Sequence, residues 1–300
     1  MNYKNFIYLI ILFSFFLSCK NDINSKNQNP ANTEDNNQVN YEADSSDIII
    51  FKKIMEYAQK KKLSNKTLPE IEISIAKYFL GTPYVAHTLE KDGEEHLVIN
   101  LHELDCTTFV ENVVSLSTCI KNKTTDFDDF CKTLIKFRYR NGKIDRYPSR
   151  LHYFTDWLLD NEKKQLITIV SNSFAEDDFD LMVNFMSTHP QYYKQLENDT
   201  FVKQIAEREK IISKVKFKFI PKQKLRQFEK NIQGGDIIAI TTSIKGLDIA
   251  HVGLAIFVDD RLHLFHASSK GKKVMISEKT LEDYLKNITK DTGIIVARLK

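Results

Sequence analysis

The sequence predicts an α+β fold in which helices come first along the chain and an antiparallel sheet comes last. After Asp105, apolar side chains recur at helical spacing, at Phe109, Val113, Leu116 and Ile120. From Gly234-Gly235 onward, short β-rich runs alternate with turns. Between these regions, residues 122 to about 230 are expected to form a long, mostly helical insertion.

The first nineteen residues have the pattern of a bacterial export signal. Lys4 precedes an apolar run from Phe6 to Leu17, and Ser18-Cys19 follows it. This run is too short to span a bilayer as a mature helix. The sequence around Cys19 resembles a lipoprotein signal, in which this cysteine becomes the lipidated N-terminus, and an ordinary cleaved signal is the alternative. We therefore expect an exported protein with a lipid anchor in a bacterial membrane, facing the periplasm.

Residues 20–45 are rich in Asn, Asp, Ser, Gln and Glu and have few apolar side chains, so they predict a disordered tether. Residues 46–300 are long enough for a sizeable core and are interpreted as a single catalytic domain that contains the insertion.

Local patterns predict most of the elements within this domain. A turn at 91–94 predicts a hairpin between 85–89 and 96–100. The expected helices cover residues 47–62, 69–79, 106–121, 126–137, 150–160, 176–186, 199–214 and 280–286. About five antiparallel strands are expected, at 236–241, 251–258, 261–267, 272–276 and 293–299.

Composition excludes some classes of function. The formal net charge is only +3, and no basic block is present, so nucleic acid is not an expected partner. A cluster of basic residues between 136 and 150 either meets a carboxylate-bearing substrate or forms a solvated face. Cys119 and Cys131 remain as a possible disulfide that the sequence does not decide. No Cys-x-x-Cys spacing occurs, so no metal and no cofactor are predicted.

Cys106 is the candidate nucleophile because it stands where a helix begins. Asp105 is a favourable N-cap, and a thiol in the first turn is near the positive end of the helix dipole, which favours the thiolate. A cysteine so placed, with a histidine brought close by the fold, is typical of a nucleophilic enzyme. The alternative is a buried structural cysteine.

Two histidines are predicted to lie together on the sheet. If Asp259 and Asp260 form a two-residue hairpin loop, Gly253 lies opposite His266, and His251 shares the face of His266. Such diagonal neighbours are roughly 7–8 Å apart at the backbone. Gly253 and Ala255 make this face shallow, so a helix could lie close against it. His263 has the opposite parity, and a zinc site would require a third ligand that this hairpin does not offer.

These residues resemble the NlpC-type papain-like cysteine peptidases of bacterial cell walls. The resemblance rests on Gly81-Thr82-Pro83-Tyr84, Asp105-Cys106, Gly235-Asp236, His251-Val252-Gly253 and His266-Ala267-Ser268. The segments 104–112, 149–157 and 185–189 more closely resemble the N-acetylmuramoyl-L-alanine amidase-like branch. The resemblance covers about residues 70 to 300. It implies a papain-like fold, in which the nucleophile helix packs on the C-terminal sheet.

The same resemblance implies a Cys-His-His mechanism. Cys106 would attack an amide carbonyl, His251 would act as general base and acid, and His266 would orient His251. By their matching positions, Tyr84, Arg150, His152 and Ser187 are expected to bind substrate. The alternative for Arg150 and His152 is that they tie the insertion to the core. The implied substrate is peptidoglycan or a soluble muropeptide, cut between N-acetylmuramic acid and L-alanine. Cleavage after γ-D-glutamate is one alternative, and a non-catalytic, membrane-tethered wall-binding lipoprotein is another.

Overall fold

The C-terminal half of the fold is built around an eight-stranded sheet, and helices pack against both faces of this sheet. The structure is a computed structural model that describes residues 40–180 and 182–300. The predicted signal, Cys19 and nearly all of the predicted tether lie outside the described residues. The described residues belong to one compact unit of the chain.

The helices include six of eight residues or more and several short ones. They are α1 (Ser45–Lys60), α2 (Leu68–Tyr78), α3 (Cys106–Lys121), α4 (Phe127–Arg138), α5 (Phe154–Lys163), α6 (Ser171–Phe174), α7 (Phe185–Thr188), α8 (Asp199–Ile212), α9 (Leu225–Phe228) and α10 (Leu281–Lys286). Five of the six longer helices begin at side-chain caps, and α5 is the exception. Asp44 caps α1, and Thr67 with Glu70 forms a capping box at α2. None of the helices in the described ranges is long and apolar enough to cross a membrane.

The strands form one large sheet and one small pair. They are β1 (Tyr41–Glu42), β2 (Leu97–Val98), β3 (Ile167–Thr168), β4 (Asp177–Phe179), β5 (Phe217–Pro221), β6 (Ile237–Thr242), β7 (Ile249–Val258), β8 (Arg261–Ser268), β9 (Lys273–Ile276) and β10 (Asp291–Leu299). In the large sheet the order is β4-β5-β10-β6-β7-β8-β9, and β3 also pairs with β10. All of these pairings are antiparallel.

The two faces of the sheet bury different sets of side chains. On one face, Leu254 and Phe265 pack in the main core with the N-terminal helices, and Phe109 of α3 lies 5.7 Å from Phe265 between ring centroids. On the opposite face, Leu264 packs in a second cluster that contains Leu281 and Leu285 of α10. We call these the α3 face and the α10 face.

Most predicted helices and all five predicted strands are confirmed to within a few residues, as is the α+β class. The sheet is larger than predicted because β3, β4 and β5 of the insertion join it beside β10. The insertion is therefore less helical than expected. In addition, α5 begins at Phe154 because Arg150 is extended and bridges to Tyr139.

Two of the predicted elements are wrong. The hairpin around 91–94 does not form, because Leu97–Val98 pairs in parallel with Tyr41–Glu42 instead of with 85–89. Regular structure is therefore present before residue 46, in β1 and in the first residue of α1. The helix predicted at 176–186 is replaced by β4, which pairs with β5, and by the short α7. Both errors arise where a distant segment provides the hydrogen-bond partners.

Candidate active site

Cys106 is the first residue of α3, as the sequence predicts. The carboxylate of Asp105 accepts the Thr108 N–H at 2.8 Å, and the Thr108 hydroxyl accepts the Asp105 N–H at 2.9 Å. This reciprocal capping box fixes the backbone direction at the start of the helix. Because Cys106 is in the first turn, its own N–H has no acceptor within the helix and is available to a ligand.

The Cys106 sulfur lies against the backbone of β7. The Val252 N–H and the N–H and hydroxyl of Thr107 are close enough to this sulfur to lower the pKa of Cys106. The pairing of β7 with β8 ends at Leu254 and Phe265, so Val252 has no paired residue on β8. The start of α3 therefore meets the sheet at the point where these two strands separate, one residue from His251.

The pKa of Cys106 is displaced in the direction opposite to the one expected from its place on the helix. Burial, with a smaller contribution from the neighbouring Asp105 charge, raises the pKa of Cys106 to about 12, although the Val252 and Thr107 donors act to lower this pKa. Desolvation disfavours the charged form of any acid, and here it outweighs the helix dipole. The resting residue is thus a thiol in a partly exposed position.

The two histidines meet as the strand register predicts. Nε2 of His251 lies 2.6 Å from Nδ1 of His266, within hydrogen-bonding distance. Asp259 and Asp260 have φ of 48° and 60°, values typical of a two-residue type I′ turn. In the resulting register, Val258 pairs with Arg261 and Leu254 pairs with Phe265. The shared face of His251 and His266 is therefore confirmed.

The helix that lies against the histidine face is α10. His251 and His266 alternate with Val252, Leu254 and Phe265, which pack against α3. Gly253 serves the hairpin itself, because a Cβ there would lie 2.7 Å from the Phe265 carbonyl oxygen. Val252, whose N–H is near the Cys106 sulfur, is adjacent to His251 in the part of β7 that lies beyond its pairing with β8.

A β-bulge directly precedes His251. Ile240 pairs with His251, but Thr241 pairs with Ile249, so β7 contains one extra residue at this point. Bulges bend a strand and re-aim the side chains beside them. Nothing in the sequence pattern indicates this bulge.

Both histidines are neutral in the resting site. Burial lowers the pKa of His251 to about 3, with a further contribution from His266, and burial lowers the pKa of His266 to about 4. No carboxylate contributes to either shift, so neither imidazole is held in the charged form. A neutral pair can pass a proton along its own hydrogen bond.

Tyr84 lies beside the cysteine, as predicted. Its backbone joins two elements, since the Tyr84 N–H donates to the Lys272 carbonyl oxygen at 3.0 Å and Tyr84 bridges in parallel to Leu104. Burial raises the pKa of its hydroxyl, and the nearby Cys106 and Asp105 raise it further. The Tyr84 hydroxyl therefore remains protonated and can donate a hydrogen bond within the site.

Tyr284 is a site residue that sequence reasoning missed. Its ring meets His266 edge to face, with centroids 5.7 Å apart at 86°. Burial raises the pKa of Tyr284 to about 12, and Asp291 and Cys106 add to this shift. The helix that carries it was predicted, but its approach to the histidines depends on how α10 folds back over the sheet.

Arg150 and His152 have structural partners. Arg150 donates to the Leu89 carbonyl oxygen at 3.0 Å and to the Glu90 carboxylate at 2.8 Å, and so anchors the loop between α2 and β2. His152 bonds the Tyr147 carbonyl oxygen through Nε2 at 2.9 Å. Burial lowers the pKa of His152 to about 3, and the Arg150 charge lowers it further. Within the basic cluster between residues 136 and 150, Arg150 is therefore already paired inside the protein.

Ser187 is partly buried on α7. Its N–H donates to the Glu209 carboxylate at 3.0 Å, and Tyr153 donates to the same carboxylate at 2.6 Å. The adjoining residues Asn184 and Phe185 donate to the Gly246 carbonyl oxygen in the loop before β7. This packing connects Ser187 to the loop that leads to His251.

The remaining cysteines and the acidic groups have local roles. Cys119 and Cys131 are both buried and both free thiols, so the disulfide left open by the sequence does not form here. Among the described residues, Asp44, Asp47 and His102 could converge on a metal ion. Both carboxylates are already occupied, because they cap α1 and Asp47 also accepts the Leu101 N–H at 2.7 Å.

Comparison with known proteins assigns the chain to a family. A sequence profile of the AmiA-like family, described as N-acetylmuramoyl-L-alanine amidase-like, matches residues 74–294. The chain belongs to this family. It is accordingly a member of an amidase-like family of peptidoglycan hydrolases. No match was found among curated proteins.

Solved structures agree with this assignment. The chain is 43% identical in sequence to an N-acetylmuramoyl-L-alanine amidase from Bacteroides uniformis whose crystal structure is known. The match covers 78% of this chain and 99% of the amidase chain, with a TM-score of 0.75. A second crystal structure of an N-acetylmuramoyl-L-alanine amidase from Bacteroides uniformis is 42% identical and has the same TM-score of 0.75 over the same shares of the two chains. A protein from Legionella pneumophila shares the fold at 22% identity, with a TM-score of 0.63 over 85% of this chain and 94% of its own.

Proposed function

We propose that this protein is a cysteine amidase that hydrolyses the bond between N-acetylmuramic acid and L-alanine. The observation that carries this proposal is the contact of the Cys106 sulfur with the Val252 N–H, one residue from a hydrogen-bonded His251–His266 pair. The membership of an amidase-like family and the 43% identity to an N-acetylmuramoyl-L-alanine amidase support this bond as the target.

In the proposed mechanism, Cys106 attacks the lactyl carbonyl carbon as His251 accepts the thiol proton. For His251 to accept at Nδ1, its Nε2 must carry hydrogen and donate to Nδ1 of His266 at 2.6 Å. His266 then holds the ring of His251 in one orientation and stabilises the imidazolium, which is the role of the third group in a triad. Thiolate and imidazolium form together, so their attraction offsets part of the cost of burying each charge.

The tetrahedral intermediate places a negative charge on the carbonyl oxygen. The Cys106 N–H at the start of α3 has no helical acceptor and is suited to bind this oxygen, and the protonated Tyr84 hydroxyl is a second candidate donor. Collapse breaks the C–N bond, and His251 returns its proton to the leaving L-alanine amine. Water then hydrolyses the thioester and regenerates the thiol.

The arrangement also supports the papain-like placement that the sequence motifs suggest. A nucleophilic cysteine at the start of a helix packs against an antiparallel sheet, and the histidines come from two adjacent strands of that sheet. Arg150, His152 and Ser187 remain proposed substrate-binding residues. The internal hydrogen bonds of Arg150 and His152 favour a role in shaping the site over direct contact with the substrate.

We also propose that the protein is exported and lipid-anchored through Cys19, facing the periplasm. Radiolabelled palmitate should be incorporated into the wild-type chain in cells, and Cys19→Ala should abolish this labelling. Labelling of the Cys19→Ala chain to the wild-type level would refute the anchor.

The amidase proposal is tested by incubating the protein with defined muropeptides and measuring the masses of the products. A free stem peptide together with a muramyl sugar is the expected result. Cys106→Ala should lower kcat by roughly 10³–10⁶-fold, as loss of a nucleophile does in other hydrolases. Cys131→Ala is the matched control, because this buried thiol lies outside the site and its loss should leave kcat near the wild-type value.

Two outcomes would contradict the proposal. Cleavage between D-glutamate and the diamino acid would instead identify an endopeptidase. Equal behaviour of Cys106→Ala and wild type in every cleavage assay would favour a wall-binding protein without catalytic activity.

A further inference from the structure

We propose that Arg140, Lys163 and Arg208 form a binding site for an oxyanion, either a carboxylate or a phosphate, within the insertion. They line a cavity of about 190 Å³ together with Asn141, Leu159 and Asp160. None of these residues belongs to the catalytic site, and the proposal concerns binding alone. Only the choice of the stem peptide as a probe rests on the proposed amidase function, and the phosphate probe does not depend on it.

Two of the three cations share a single carboxylate. Arg140 donates from Nη1 to the Asp156 carboxylate at 2.7 Å, and Arg208 donates to it from Nε at 2.8 Å and also from Nη2. The Asp156 side chain is only 2% exposed, whereas Arg140 and Arg208 are 22% and 24% exposed. Asp156 thus fixes both guanidinium groups at the cavity and neutralises only one of their charges.

Most of the N–H groups of Arg140 and Arg208 do not donate to Asp156. A guanidinium carries five N–H donors, and Asp156 receives one from Arg140 and two from Arg208. Planar guanidinium groups bind carboxylates and phosphates through pairs of parallel hydrogen bonds. Two arginines held by one buried carboxylate therefore present preorganised donors to a further anion.

Lys163 adds a third cation, and the only acidic residue of the lining is already neutralised. The ammonium of Lys163 lies 3.4 Å from the Asn141 amide oxygen, and no salt bridge to it occurs within the described ranges. Asp160 pairs with Lys164 at 2.7 Å and accepts the Asn141 N–H. Two positive charges thus remain uncompensated around the cavity.

The size of the cavity fits a small acidic group. A single water needs only about 10–15 Å³ of such volume, so 190 Å³ admits a carboxylate or phosphate with the atoms attached to it. Stem peptides of peptidoglycan, the substrate class of the family, carry free carboxylates. Inorganic phosphate offers the same oxyanion chemistry, and the experiment distinguishes the two sources.

Isothermal titration calorimetry on the full-length protein tests the site with three probes. These are inorganic phosphate, a synthetic stem peptide with free carboxylates, and the same peptide with its carboxylates amidated. The stem peptide is the product of the proposed reaction, so no turnover complicates the titration. We expect an oxyanion probe to bind, the amidated peptide to lose that binding, and Lys163→Glu to weaken binding at least about tenfold, as expected when a charged hydrogen-bond donor is lost.

Lys203→Glu is the matched control. Lys203 is an exposed lysine on α8, five residues before Arg208 and so about 140° away around the helix, and its replacement makes the same change in net charge. We expect its affinity to stay within about twofold of wild type. Circular dichroism melting of both variants checks that the fold is retained.

The probes assign the source of the anion. Binding of the free-carboxylate peptide alone supports a stem-peptide site, and binding of phosphate alone supports a site for small oxyanions. Equal weakening by Lys163→Glu and Lys203→Glu would show a general charge effect and overturn the proposal. Failure of the wild-type protein to bind either probe at millimolar concentration would overturn it as well.

Discussion

At the candidate active site, the Cys106 thiol and the hydrogen-bonded His251–His266 pair are neutral, whereas Arg138 of the insertion and Glu111 of α3 form a buried charged pair. Burial raises the pKa of the Cys106 thiol and lowers the pKa of His251 and His266, so each group prefers its uncharged form. In the charged pair, the side chains of Arg138 and Glu111 are each 2% exposed, and Arg138 Nε donates to Glu111 at 2.6 Å.

Burial thus has two different consequences: it keeps the catalytic groups neutral, and it holds the charged pair together as a structural contact. A charged pair that is fully hydrogen-bonded fixes two segments in register, as Arg138 fixes α4 to Glu111 of α3 and to the Val98 carbonyl oxygen. Such a pair cannot exchange a proton without losing its attraction. Neutral groups in hydrogen-bonding contact can transfer a proton when a substrate arrives. The predictions below test this division.

The largest expected effect is on activity at the histidine pair. His266→Gln should lower kcat by about 10²–10⁴-fold with little change in KM, because His251 would lose the partner that orients it and stabilises its charged form. Steady-state kinetics on muropeptides measures this effect. His263→Gln is the control on the same strand, since His263 points to the other face and bonds the Ser277 carbonyl oxygen at 2.8 Å. Equal losses in both variants would show that the strand, and not the pair, is perturbed.

On the structural side, Arg138→Met should lower the free energy of unfolding by about 3–5 kcal/mol, because Glu111 would be left buried without its partner. Urea denaturation measures this loss. The double variant Arg138→Met with Glu111→Leu should recover most of the stability, since an apolar pair removes the unpaired charge. If the double variant is no more stable than the single one, packing and not charge is responsible.

A smaller effect is expected in the dependence of stability on pH. His266 has a folded pKa of about 4, below the usual value of about 6.5 for an unfolded chain, so the unfolded state binds more protons between these values. Stability is therefore fully present above pH 6.5 and is lost as the pH falls toward 4. We expect a loss of roughly 1–3 kcal/mol between pH 7 and pH 4.5 that His266→Gln does not share.

The comparison between wild type and variant is necessary because other groups titrate in the same range. Burial raises the pKa of Asp291 to about 6, which gives a slope of opposite sign. This contribution cancels when the two proteins are compared by urea denaturation at each pH. Parallel curves for wild type and His266→Gln would contradict the buried neutral histidine.

The last prediction concerns the pH dependence of the alkylation rate of Cys106. With its pKa raised to about 12, the rate of reaction with iodoacetamide should rise steadily from pH 6 to pH 9, because the thiolate fraction grows throughout this range. Peptide mass spectrometry follows the rate, and the buried Cys119 and Cys131 serve as internal controls. A rate that is already constant below pH 7 would instead indicate a resting thiolate–imidazolium pair.

Local sequence signals were sufficient for the helices with caps and for the strands with tight turns. Asp105 marks the start of α3 because an N-cap acts on its own backbone, and the Asp259-Asp260 turn sets the β7–β8 register. Both depend on contacts a few residues apart. The pairing of His251 with His266 follows from that register alone.

Contacts between distant segments could not be predicted from local sequence signals. The pairing of β2 with β1 and the entry of β3, β4 and β5 into the sheet require partners far along the chain. Tyr284 reaches His266 only because α10 folds back on the sheet, and the bulge before His251 becomes visible only through its pairing with β6.

The sequence by itself determined which residues are chemically suited to the reaction, a cysteine at a helix start and two histidines on one hairpin face. The tertiary structure alone decided their state. Burial of the Cys106 thiol and of both imidazoles displaces their pKa values toward the neutral forms, and for Cys106 this is against the direction that the helix dipole predicts. The physical reason is that desolvation depends on everything packed around a group, whereas a helix dipole is a local property of the chain.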